Sequence, residues 1–154
     1  MEWNNCTYIE MLREWKQHRV DIVALPFEDA MKAVAKFWGT VPIHTSKNVR
    51  LYEPETWMSP WEILHENSLC ENKVAIMIYH TLVAAYEDDD VDVTMRVAYD
   101  KGDEFLVVAV NRTYISGDAC TLNYITGSPV MEDDQPSINF IHTFDEDTPH
   151  LREK

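Results

Sequence analysis

Cys70 is the residue with the most chemistry in its setting. It precedes Glu71 and a long apolar run, and Ser68 and Glu71 have the spacing of a helix capping box. A cysteine in the first turn of a helix meets free backbone N–H groups and the positive end of the helix dipole, and both favour the thiolate. That chemistry is nucleophilic, and it needs a base. His65, five residues earlier, and His80, ten residues later and nearly three helical turns along, are the candidate bases. Leu69, Val74 and Met77 surround the cysteine with apolar groups that oppose ionisation, and free cysteine is among the most buried residue types. A small buried hydrophobe is therefore the competing account of Cys70.

Metal and nucleotide chemistry find no support. Asp88, Asp90 and Asp92 have the opening spacing of a calcium loop, but Val93 stands where that loop needs Gly and Tyr99 where it needs Glu. His44, His142 and His150 are scattered, and Cys6, Cys70 and Cys120 form no CxxC pair. No GxGxxG, Walker, GxSxG or HExxH pattern occurs. No cofactor and no metal are expected.

The 154 residues suit one domain, and 27 acidic against 13 basic residues give a net charge of −14. That field repels phosphate, so direct binding to nucleic acid is excluded as an expectation. It suits a protein partner with a basic face. The first ten residues lack a signal-peptide pattern, and no run approaches the length of a membrane span, so no membrane association is expected and synthesis is placed in the cytoplasm.

The elements that must hold Cys70 follow from periodicity. Thr7 and Glu10 form a capping box before a helix over about 8–18, and Val20 to Leu25 reads as a short extended run. Phe27, Ala30, Met31, Val34, Ala35 and Trp38 trace one face of a second helix that ends at Gly39. Residues 40–58 form a long loop. Ser59, Pro60 and Glu62 then start a short helix flanked by Trp57 and Trp61. The helix from about Ser68 to Tyr86 is apolar nearly all round, as buried central helices are. Val93 to Tyr99 and Phe105 to Val110 make a hairpin about Gly102, with further strands between Thr113 and Ile125. The expected fold is α+β: N-terminal helices and a central buried helix packed on a small, mostly antiparallel sheet. Residues 1–126 form the domain, and 127–154 form an acidic C-terminal arm.

A cysteine that opens a buried helix followed by antiparallel strands resembles the core of transglutaminase-like and papain-like cysteine enzymes. In that pattern Arg96 matches an Arg on the first strand after the helix. The resemblance implies a histidine where this chain has Asp103, Glu104 and Phe105, and an Asp where it has Leu122, Asn123 and Tyr124, so it implies an inactive relative. Separately, Trp57, Pro60, Trp61, Leu64, Cys70 and Tyr79 to Leu82 are similar to an uncharacterised family of tailed-bacteriophage proteins. That second resemblance implies phage origin without a reaction. The leading expectation is a non-enzymatic phage protein, a virion or tail component or assembly factor, made in the host cytoplasm and working through protein contacts. Its interaction candidates are Trp57, Trp61, Glu87, Asp88, Asp89, Asp90, Asp92, Glu132, Asp133 and Asp134. The alternatives are an acidic host-directed inhibitor that mimics DNA, and a cysteine-dependent hydrolase or transferase with Cys70 as nucleophile.

Overall fold

The computed structural model describes residues 3–41, 49–67, 69–86, 91–100, 102–112, 119–122, 130–131 and 139–143. Helix α1 spans Tyr8–Val23 and begins with the expected capping box, Thr7 and Glu10 each satisfying the other's backbone N–H. It runs past residue 18 and absorbs the stretch expected to be extended, because Trp15, His18 and Ile22 continue one buried face at helical spacing. Helix α2, Phe27–Gly39, buries all six residues of its anticipated stripe. Gly39 does not act as a left-handed stop: the helix ends on Thr40 in the right-handed region, and its hydroxyl donates to Phe37 O.

Helix α3, Pro60–Glu66, has the Ser59–Glu62 capping box and stops on Asn67, whose φ of 52° is left-handed. Helix α4, Glu71–Ala85, buries ten of its residues and is the central element. Ser68 lies outside the described residues, and the N-cap is Cys70 itself. The loop before α3 contains a 3-10 turn at Pro54–Thr56, and Trp57 leaves it buried, its Nε1 donating to Arg50 O at 2.7 Å.

The sheet has the order β4-β3-β2-β1-β5, every pair antiparallel. Strands β1 (Val91–Asp100) and β2 (Asp103–Arg112) form the hairpin, with Gly102 at φ 84° as its turn demands. Strands β3 (Ala119–Leu122), β4 (Val130–Met131) and β5 (Asn139–Thr143) complete it, and the last two fall within residues 127–154. Alternation sorts the hairpin into faces. Val93, Met95 and Val97 with Leu106, Val108 and Val110 join the core that contains α4, while Phe105 and Val107 form a separate cluster with Ala98. The architecture is α+β, helices packed on a mostly antiparallel sheet.

Two polar contacts lock this arrangement. Trp15 Nε1 donates to Thr81 Oγ1 at 2.8 Å, tying α1 to α4, and Arg19 lies 4.3 Å over the Trp15 ring. His18, 8% exposed, stacks on Phe37 with ring centroids 4.1 Å apart. Burial lowers the His18 pKa to about 4, against a smaller upward pull from Asp21.

Candidate active site

Cys70 has extended backbone angles and caps α4, so the N–H groups of the first turn gather at its position. It is a free thiol, 4% exposed, among Leu69, Val74 and Met77, all buried. Two residues on, Asn72 reaches the sheet: its Oδ1 accepts from Leu106 N at 3.0 Å. Strand β3 ends opposite Val108, and Asn72 supplies the acceptor for the amide just beyond that end. The start of α4 is thus fixed against the start of β2. Lys73, also buried, ties the same turn to α3 through Glu66 Oε1 at 2.9 Å.

Register places a carboxylate on the face of β2 that meets α4. Glu104 lies two residues before Leu106, and alternation puts it on the same face as Leu106, Val108 and Val110, the face that packs on α4. Asp103 and Phe105 belong to the opposite parity. Glu104 accepts a hydrogen bond from the Tyr52 hydroxyl, at 3.0 Å to Oε1 and 3.3 Å to Oε2. Desolvation first, and then the hydrogen bond to Glu104 and its charge, hold the Tyr52 pKa above its usual range. The loop before α3 therefore supports the start of β2 through one exposed phenol.

The two expected bases sit on α3 and α4. His80 is ten residues past Cys70, about 15 Å along the helix axis and out of reach. His65 stands edge-on to Tyr8 at 5.2 Å and lines a groove with Met58, Trp61, Glu62 and Glu66. Arg96 sits on β1 opposite Val107. Of the expected contact residues, Trp57 is buried at 5% exposure, Trp61 is half-buried against Trp15, and Asp92 is exposed near the start of β1. Glu87, Asp88, Asp89 and Asp90, and Glu132, Asp133 and Asp134, lie outside the described residues. Asn72 and Tyr52 were missed from sequence because nothing local signals partners so far along the chain. Glu104 was passed over as a departure from the histidine of the resembled pattern, and the alternation of Leu106, Val108 and Val110 is the signal that gives its face.

No protein-family model and no curated protein matches this chain. Solved structures do. It is similar to Legionella pneumophila LapG, with a TM-score of 0.64 at 18% identity over 86% of this chain and 73% of that one. The calcium-bound form of that protein gives 0.66 at 18% with the same coverage, and the EGTA-treated form 0.63 at 19%, over 86% and 70%. The chain shares its fold with that protein, which agrees with the transglutaminase-like order of elements expected from the sequence. The similarity to a phage family gains no support from it.

This match corrects the leading expectation of a non-enzymatic virion or tail component. The tryptophan motif behind that expectation has a packing explanation here, Trp57 on Arg50 and Trp61 on Trp15. Calcium belongs to the description of the Legionella protein. Among the described residues here, no group of three or more His, Cys, Asp or Glu side chains is placed to hold a metal ion, and no step below is routed through one. Among them, too, no helix is long and apolar enough to cross a membrane.

Proposed function

We propose that this chain catalyses cysteine-dependent acyl chemistry, hydrolysis or transfer, with Cys70 as nucleophile and Glu104 in the position of the base. The observation that carries this is the placement of Cys70 at the N-cap of the central helix, with that helix start fixed to the start of β2 by Asn72. In the reaction, Cys70 Sγ attacks the acyl carbon while its proton passes to the Glu104 carboxylate. The amide N–H groups of the first turn receive the developing oxyanion. The bond to the leaving group then breaks, the leaving group takes the proton, and water or an amine releases the thioester.

The carboxylate sets the rate. A carboxylate is a weaker base toward a thiol than the imidazole that commonly activates a cysteine nucleophile. Turnover should therefore be slow, and the Tyr52 hydroxyl keeps Glu104 oriented.

The test is incubation of the native protein with p-nitrophenyl acetate, read by mass spectrometry at each cysteine. An acetyl group on Cys70 in preference to Cys6 and Cys120, lost in Cys70→Ala and gained faster in Glu104→His, is the expected result. Acetylation of Cys6 or Cys120 alone in the native protein would sink the proposal.

A further inference from the structure

The groove that His65 lines has chemistry of its own. It measures about 520 Å³ and is lined by Tyr8, Met58, Trp61, Glu62, His65 and Glu66. Its walls are aromatic and braced from behind. Trp61 stands edge-on to Trp15 at 6.0 Å, and Tyr8 edge-on to His65 at 5.2 Å. Its rim is acidic, because Glu62 and Glu66 are exposed on α3. Both carboxylates are fixed in place: Glu62 Oε1 accepts from Ser59 N, and Glu66 Oε1 pairs with Lys73 Nζ, each at 2.9 Å.

Aromatic walls under a carboxylate rim suit one kind of group. A cation gains from the ring faces and from the rim, whereas an anion is repelled by the rim and by the net charge of −14. An aliphatic group would desolvate carboxylate oxygens at the rim and return no charge interaction. The molecule already uses this pairing internally, where Arg19 lies over Trp15. A planar guanidinium exploits stacking and a fixed carboxylate together better than an ammonium does.

We infer that this groove binds the arginine side chain of an extended polypeptide. Lysine is the weaker occupant. The Glu66–Lys73 pair joins the groove to the first turn of α4, the turn that Cys70 caps. That the bound polypeptide is also the substrate rests on the proposed cysteine chemistry; the binding itself does not.

The experiment uses the full chain carrying Cys70→Ala, titrated with short blocked glycine peptides bearing a central arginine, lysine, citrulline or glutamate. Tryptophan fluorescence and calorimetry are the readouts. The arginine peptide should bind at least tenfold more tightly than its neutral citrulline counterpart, and more tightly than lysine, with no binding by glutamate. Trp61→Leu should weaken arginine binding tenfold or more. Glu62→Gln, which preserves the capping box, should weaken it about fivefold and flatten its salt dependence. Equal affinity for arginine and citrulline, or full affinity in folded Glu62→Gln and Trp61→Leu, would overturn the inference. Failure of arginine binding while the wild type acetylates Cys70 removes the groove alone. Arginine binding without acetylation removes the cysteine chemistry alone.

Discussion

Helix α4 is buried along nearly its whole length, yet its two ends satisfy their polar groups by different means. Toward the C-terminus Thr81 is fully buried, its hydroxyl donating to Met77 O at 2.6 Å and accepting from Trp15 Nε1. Those bonds stay within the helical layer. At the N-terminus the buried polar groups reach outward, Asn72 to Leu106 on the sheet and Lys73 to Glu66 on α3. The first end makes the helix stable, and the second makes it located. The nucleophile proposed at Cys70 would need location, because an error of an ångström in placement costs a large factor in rate.

The largest expected effect lies at the stable end. Leu82 is fully buried, and Leu82→Ala should cost about 2–5 kcal/mol in denaturant unfolding through lost burial and an unfilled cavity. Acetylation of Cys70, measured well below the midpoint, should be unchanged. A parallel loss of acetylation would erase the distinction between the two ends.

Asn72→Ala comes next. It leaves Leu106 N–H buried without its acceptor, for about 1–3 kcal/mol, and should also slow acetylation of Cys70 tenfold or more. Asn72→Asp restores the acceptor and should recover most of the rate. Loss of stability with an unchanged rate would reduce Asn72 to a structural contact. Thr81→Val is the matched change at the other end. It deprives Trp15 Nε1 of its partner in a nearly isosteric background and should cost about 1 kcal/mol, with no effect on the thiol.

Local chemistry made much of this molecule legible in its sequence. The Thr7–Glu10 and Ser59–Glu62 boxes, the stripe from Phe27 to Trp38 and the turn at Gly102 all act over four residues or along one face, and each appears as expected. The end of α1 was misjudged because its apolar run beyond Val20 also fits a strand, and only packing against the helical layer decides it. The site was legible in part. Element order pointed to Cys70 and to the Asp103–Phe105 position, but Asn72 and Leu106 are 34 residues apart and Tyr52 and Glu104 are 52 apart. Such pairs are set by how the sheet docks, which periodicity does not encode.

A pH-dependent effect tests the helical layer away from both ends of α4. His18 is held neutral by burial against Phe37, and its Nε2 is buried without a hydrogen-bond partner among the described residues. Its folded pKa of about 4 lies below the unfolded value near 6.5, so between these limits the unfolded chain binds a proton that the native state refuses. Stability from this residue is therefore complete above pH 6.5 and is lost as pH falls toward 4. The carboxylates titrate mostly below pH 5, and their protonation relieves the repulsion of a chain at −14, which acts in the opposite direction. The upper half of the window isolates the histidine. Melting temperatures of the wild type should fall by about a few degrees between pH 7 and pH 5 relative to His18→Phe, which keeps the ring stack and cannot titrate. Parallel pH profiles for the two proteins would show that the ring at position 18 accepts its proton in the native state, and that the helical layer opens there more readily than its burial implies.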